Sequence, residues 1–337
     1  MEIVEPRLPA ASDVPGGIAP FPDFFVVGAP RCGTTALSRY LSQHPQVCFS
    51  RPKEPHYFAQ LDARHLQGAE WRSEYARFFA HYHEDHRAVG EGSVSYLYFE
   101  EALEHITRIN PEARLIAMLR NPLEMLPSYH LRMLYILEED VELFDAAWGL
   151  QEARARGERI PKLCTDPRLL LYGEIGRLGS QVERMLRVAG REKCLLLLHD
   201  DLVRDPRSVY RHVLRFIGVD DDGRTEFPSR QPSRHYRHRW LQRLLYKPPA
   251  AYGSLLQERL AHAARKATAQ GPEKGPGGTK RKKPLLLRLR KRLLNWNRVV
   301  VKPRPLDQRM RALLREHFAT DVEKLAKLID RDLGHWL

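Results

Sequence analysis

Two short clusters near the start of the chain carry residue types that chemistry can use. Residues 28 to 35 read GAPRCGTT: two glycines bracket a cation, Arg31, and a thiol, Cys32, and two hydroxyls, Thr34 and Thr35, follow at once. Glycines let a backbone come close to an anion, and the N–H groups and positive dipole end of a following helix stabilise its charge. Residues 53 to 56 read KEPH and bring three ionisable groups, Lys53, Glu54 and His56, into four positions. A carboxylate or an imidazole there can take a proton from a substrate. By position alone the same trio could be a solvated charge cluster on a loop.

The triphosphate-binding form of such a loop reads GxxxxGK[ST], with the lysine reaching the phosphates. Here Thr34 stands where that lysine belongs and the cation comes earlier, at Arg31, so the loop suits a different anion. In this the sequence resembles the sulfotransferases that use 3′-phosphoadenosine 5′-phosphosulfate (PAPS). Their 5′-phosphosulfate loop looks like GxPKxGTTAL, and the chain has GAPRCGTTAL. The resemblance implies that Arg31, Cys32, Gly33, Thr34, Thr35 and Ala36 hold the 5′ end of the donor. It also implies that Arg31 stabilises charge on the oxygen that bridges sulfur and phosphorus. Arginine in place of the commoner lysine keeps the charge but replaces a compact ammonium with a planar fork.

The segment KEPHYF, 53 to 58, resembles the KEPHFF segment of heparan-sulfate-modifying and related sulfotransferases, whose glutamate is the catalytic base. Carried over, that base is Glu54, with Lys53 near the sulfuryl oxygens or the acceptor and His56 as the alternative base. The string GEGSVSY, 90 to 96, resembles the family's GEKTPSY but has Gly92 for its lysine and Val94 for its proline, leaving Glu91 and Ser95 as substrate-side candidates.

A second anchor follows Leu115 to Leu119, a continuous apolar run of the kind expected of a parallel strand covered on both faces. Arg120 closes it, where open α/β sheets bind ligands. Pro122 suits a helix start, and Ser128 comes roughly two turns later. The matching RNPxxRAxSxY-like segment of the family binds the 3′-phosphate, so the resemblance implies that role for Arg120 and Ser128; an arginine after a strand can also cap a carbonyl or pair with an acid. Lys302 and Arg304 fall where the family has a KGRTHP-like turn on the 3′-phosphate and adenine.

These residues need elements to position them. Phe24 to Val27 is a short run of β-formers, and Ala36, Leu37, Tyr40 and Leu41 have helical spacing, giving strand, phosphate loop and helix. Residues 71 to 82 carry an aromatic stripe that reads as core, Cys194 to His199 reads as a further strand, and 137 to 165 as a mobile segment with helical stretches over the acceptor. Asp200, Asp201 and Asp205 have spacing suited to caps and turns rather than to a metal. The expected fold is an α/β class, three-layer α/β/α P-loop architecture with a mainly parallel central sheet.

Composition bounds the rest. The chain has 337 residues, 43% of them hydrophobic, and a formal net charge of +13. Residues 1–21 lack the basic start and apolar core of a secretory leader and read as a flexible N-terminal arm. Residues 22–337 read as one domain with a basic, low-complexity insertion at about 265–284. Four scattered cysteines without CxxC spacing argue against a zinc site or disulfide framework and fit a cytoplasmic protein. The basic, amphipathic stretch 280–304 suits a solvated helix beside the anion site, or contact with a polyanionic acceptor or a membrane surface; no nucleic-acid motif accompanies it. The expected function is transfer of a sulfuryl group from PAPS, without a metal, to an acceptor hydroxyl on a carbohydrate or glycoconjugate. A lipid, polyketide or other small-molecule alcohol is the alternative acceptor, and a P-loop kinase is the rival enzyme, disfavoured by the missing loop lysine.

Overall fold

The apolar runs form the strands of one parallel sheet. The structure, a computed structural model, describes residues 21–60, 66, 70–228, 233–247 and 285–337. Five strands, β1 (Phe24–Gly28), β2 (Val47–Phe49), β3 (Ala88–Gly92), β4 (Arg114–Leu119) and β5 (Cys194–Leu198), lie in the order β2-β3-β1-β4-β5. Every neighbouring pair is parallel. The residues of β1 are buried throughout, which is why this central strand reads as an unbroken apolar run. The ring of Phe24 lies over its partner on β3, Gly90, and Gly92 backs onto Phe49 and Ser38, so β3 is built from small residues where large neighbours cross it.

Helices cover both faces. From β1 the chain crosses by the helix Thr34–Leu41 toward β2, and from β3 it crosses the other way by the helix Glu100–Ile109 to β4. Right-handed crossovers running in opposite directions put those helices on opposite faces, giving the expected three layers. Leu178–Ala189 packs with Glu100–Ile109 against the sheet, and Tyr210 of Pro206–Ile217 meets the ring of Tyr40 at 6.2 Å. Asp205 caps that last helix through the Ser208 N–H at 3.0 Å, the role its spacing suggested.

The described residues gather into two compact units. Those within 1–122, 177–231 and 318–337 form the first, which holds the sheet; those within 123–176 and 232–317 form the second. Phe21, drawn from sequence as the end of the arm, packs its ring against Phe25, Phe58, Trp71 and Tyr75 of the first unit. The stripe at 71 to 82 is core as expected, with Trp71, Tyr75 and Phe79 all buried.

In the second unit, an antiparallel ribbon pairs β6 (Ser233–Tyr236) with β7 (Arg298–Val301). The helices Arg239–Tyr246 and Leu285–Asn297 pack on each other. The segment expected to be mobile is instead pinned. Arg154 donates to both carboxylate oxygens of Glu139, at 2.7 and 2.8 Å, with both side chains fully buried, and the Tyr172 hydroxyl adds a third bond at 2.7 Å. The insertion at 265–284 lies outside the described residues.

Candidate active site

In the order β2-β3-β1-β4-β5 the chain leaves β1 toward β2 on one side and leaves the neighbouring β4 toward β5 on the other, and the edge beyond the C-terminal ends of such diverging strands is where these sheets receive ligands. The loop after β1 occupies that edge. Gly33 turns it into the helix with φ of 94°, and a Cβ there would lie 2.9 Å from Leu202 Cδ2 and 3.2 Å from His199 Cδ2. Gly28 opens the turn under Leu97, whose Cβ would be 2.6 Å from an added Cβ. The Ala36 and Leu37 amides donate to the Gly33 carbonyl, starting the helix Thr34–Leu41. Its first turn has neither a side-chain cap nor an acid, which is how a helix start that receives an anion is built.

One cation, Arg31, lies within this loop and a second, Arg120, lies beside it. The Arg120 guanidinium, just past β4, donates through Nη1 to the Arg31 carbonyl at 3.3 Å. Cys32 is fully buried and its thiol donates to Pro30 at 3.4 Å. Burial pushes that thiol up to about 12, against the opposing pull of Arg120 and Arg31. Cys32 is therefore a filler of the loop rather than a nucleophile.

The second cluster hangs from the end of β3. The Glu54 amide donates to the Gly92 carbonyl at 3.0 Å and the His56 amide to Ser93 Oγ at 2.9 Å. His56 Nδ1 lies 2.7 Å from Ser95 Oγ, and the Phe58 amide donates to the Tyr96 hydroxyl at 3.3 Å. Lys53 binds Glu54 Oε1 directly, while His56 Nε2 stands 3.9 Å from Oε2. These side chains are 22% to 29% exposed, dry enough to feel one another and open enough to reach a substrate.

Backbone conformation singles out the same residues. Among the described residues six non-glycines have a positive φ, and three of them are Arg31 (63°), Glu54 (64°) and His56 (52°). The left-handed region is unfavourable for side chains of this size, so it persists only where surrounding contacts over-determine it.

Beneath this cluster lies a buried carboxyl. Glu91 was drawn as a substrate-side candidate, but it is wholly buried. Ser93 Oγ donates to its Oε1 at 2.5 Å, and the hydroxyls of Tyr75 and Tyr96 donate to Oε2, that of Tyr96 at 3.2 Å. Burial raises its pKa to about 7, moderated by those three hydroxyls and the charge of Lys53. Sequence reasoning left Tyr75 as plain core and passed over Ser93 and Tyr96. The available signal was that buried tyrosine hydroxyls need partners. His199, immediately after β5 and against Gly33, was also passed over.

The first unit thus contains Arg31, Cys32, Gly33, Thr34, Thr35, Ala36, Lys53, Glu54, His56 and Arg120. Ser128, Lys302 and Arg304 belong to the second. There Ser128 is buried with its Oγ 3.2 Å from Ser233 Oγ, and Lys302 and Arg304 are exposed just past β7.

Comparison with known proteins adds an independent line. A family model described as "Sulfotransferase family" matches residues 22–223. The chain is 33% identical over 120 residues to the membrane-associated sulfotransferase kil1 of Dictyostelium discoideum, covering 35% of this chain and 24% of that protein. It is 34% identical over 214 residues to the human heparan sulfate glucosamine 3-O-sulfotransferase 6, covering 64% of this chain and 56% of that one. The chain therefore spans between about a quarter and just over half the length of these curated relatives. A sulfotransferase crystal structure from Alicyclobacillus acidocaldarius matches with a TM-score of 0.63 and 25% identity, over 94% of this chain and 99% of that one.

Proposed function

We propose, from the premise that the chain belongs to the sulfotransferase family, that it moves the sulfuryl group of PAPS to a hydroxyl of a carbohydrate or glycoconjugate. The observation that carries this reading is the meeting of two kinds of group at one sheet edge. An anion loop with its own cation follows β1, and a half-buried carboxylate segment hangs from Gly92 at the end of β3, the hydrogen-bonded neighbour of β1.

The loop fits the 5′ end of the donor. Its uncapped helix start, the Thr34 and Thr35 hydroxyls and the Arg31 guanidinium supply donors and positive charge and no acid. Arg120, Ser128, Lys302 and Arg304 would hold the 3′-phosphate and adenine. Glu54 takes the proton of the acceptor hydroxyl as its oxygen forms a bond to sulfur. The bond from sulfur to the phosphate oxygen breaks in line, and its electron pair stays on that oxygen, where Arg31 and the loop amides stabilise it. No step calls for a metal.

The carbohydrate acceptor rests on the KEPHYF segment and on likeness to a heparan sulfate sulfotransferase. A lipid or other small-molecule alcohol would use the same base and loop. On the partner side, the second unit exposes Trp240, Leu289 and Trp296, with Arg239, Lys291 and Arg292 exposed on the same helices. Aromatic and cationic side chains together suit the headgroup layer of an anionic membrane.

The test is calorimetric titration with adenosine 3′,5′-bisphosphate, the desulfated donor, beside ATP with magnesium, each repeated in EDTA. Tight binding of the bisphosphate in EDTA with weak binding of ATP is expected. Magnesium-dependent ATP binding with no response to the bisphosphate would return the loop to a kinase.

A further inference from the structure

Besides the Glu54 amide on the Gly92 carbonyl, the base segment is tied to the sheet through one wholly buried carboxylate, that of Glu91. Ser93 has a single hydroxyl proton; its oxygen accepts the His56 N–H at 2.9 Å, and its proton goes to Glu91 Oε1 at 2.5 Å. Tyr96, three residues after Ser93, repeats the arrangement, its oxygen accepting the Phe58 N–H at 3.3 Å and its proton going to Glu91 Oε2 at 3.2 Å. Tyr75 gives Oε2 a further proton. An ionised carboxylate accepts only, so it fixes the direction of both chains: amide to hydroxyl to carboxylate.

We propose that Glu91 is the positioning residue of the base segment, its carboxylate strapping the His56 and Phe58 amides through the Ser93 and Tyr96 hydroxyls and so holding Glu54 in its left-handed conformation. The catalytic consequence rests on the reading of Glu54 as the base. Two features support the strap. Glu54 and His56 both hold positive φ, which needs outside support. Glu91 is wholly buried and accepts three hydroxyl protons, an environment that specifies one geometry.

The groups facing Glu91 are Tyr75 from the helix Glu70–Ala76, Ser93 and Tyr96 from the turn after β3, and the charge of Lys53; its partner on β1, Phe25, is apolar. Tyr75 and Tyr96 are themselves pushed well above the usual phenol range by burial and by Glu91, so they stay donors. Glu91 is then the group that changes near neutrality. On protonation one of its oxygens becomes a donor, and at least one hydroxyl must turn away from its present role.

The experiment measures amide hydrogen exchange at His56 and Phe58, with no substrate present, in the wild type and in Glu91→Gln, Ser93→Ala and Tyr96→Phe. Rate against pH and bisphosphate affinity are measured on the same proteins. Glu91→Gln should quicken exchange at both amides, Ser93→Ala chiefly at His56, and Tyr96→Phe chiefly at Phe58. It should also lower kcat by about 10- to 100-fold while bisphosphate affinity stays within about twofold. The wild-type rise in rate with pH through about 7 should be absent from Glu91→Gln. Unchanged exchange in a folded Glu91→Gln protein overturns the strap, as does wild-type kcat with a wild-type pH profile. Should Glu91→Gln fail to fold, the two single-hydroxyl variants decide: exchange that quickens at neither amide, or at both alike, rejects it. Altered exchange in a protein that never turns PAPS over would keep the strap and reject sulfuryl transfer.

Discussion

The Arg120 guanidinium donates to the carbonyl oxygen of Arg31, Nη1 to O at 3.3 Å, so the end of β4 steadies the turn after β1. The two roles proposed for Arg120, holding a phosphate and buttressing the loop, act through different donors of one guanidinium fork. Arg120→Ala should therefore weaken adenosine 3′,5′-bisphosphate by about 10- to 150-fold, the equivalent of one charge-assisted contact. Ser128→Ala removes a neutral hydroxyl and should cost about tenfold or less. Calorimetric titration of the two variants checks the ranking, and equal losses would contradict it.

Glu54→Gln keeps the size of the side chain and removes its basicity. Turnover should fall by about 10²- to 10⁴-fold with bisphosphate affinity nearly unchanged. Following release of the bisphosphate from PAPS in the presence of an acceptor measures it. A variant that keeps most of its turnover would pass the role of base to His56, whose Nδ1 is already turned toward Ser95.

Two groups, the buried Glu91 and the half-buried His81, should give stability opposite slopes with pH. Glu91 is raised from 4.5 to about 7, so the folded protein holds a proton that the unfolded chain gives up. Its contribution is complete below pH 4.5 and is lost as the pH rises to about 7, on the order of 3 kcal/mol in all. His81 is lowered from 6.5 to about 4, first by burial and then by the charge of Arg51, so its contribution is present above pH 6.5 and lost as the pH falls toward 4. Melting temperatures across that range should show the wild type losing its advantage over Glu91→Gln as the pH rises. For His81→Gln the wild-type advantage should shrink as the pH falls.

Gly33→Ala should destabilise the protein by about 1 to 3 kcal/mol, because the added methyl meets Leu202 and His199 in a backbone conformation that already disfavours it. It should also weaken the bisphosphate, since the same turn aims the helix start. Thermal melts and titration of one preparation read both effects.

Replacing Trp240 and Trp296 together with alanine should reduce binding to vesicles rich in phosphatidylserine by at least about tenfold while leaving bisphosphate affinity intact. Co-sedimentation at physiological salt measures it. Retention on a sulfated glycan that is indifferent to both tryptophans, with no vesicle binding in the wild type, would assign the basic surface to the acceptor instead.

Strands β1, β4 and β5 were legible because covered parallel strands must be apolar on both sides, and the anion loop because its glycines and cation have few other uses in that order. Strand β3 was not. Its sequence, AVGEG, is depleted in β-formers, and what makes it a strand is the pair of aromatic rings that its glycines admit. The residues at the loop and the base segment could be named from type and spacing. Their support could not, because Glu91, Ser93, Tyr96 and Tyr75 come together only once β3 is in place, and Glu91 read instead as a substrate-side candidate. The spacing of Asp205 gave its cap correctly, since capping is a local matter, whereas the Glu139–Arg154 pair that pins the segment 137 to 165 spans fifteen residues and no local pattern announces it.

The ring of Phe24 resting on Gly90 has a consequence for how the sequence can drift. A methyl group at 90 would require a smaller side chain at 24, and neither position can change far without the other. A slip of β3 by one residue would drive the ring into the side chain of Val89 or Glu91. The pair therefore acts as a key that admits a single alignment of two strands. The offset between the turn at Gly28 and the Gly92 carbonyl that carries Glu54 is thus fixed by shape, from the N-terminal end of β1.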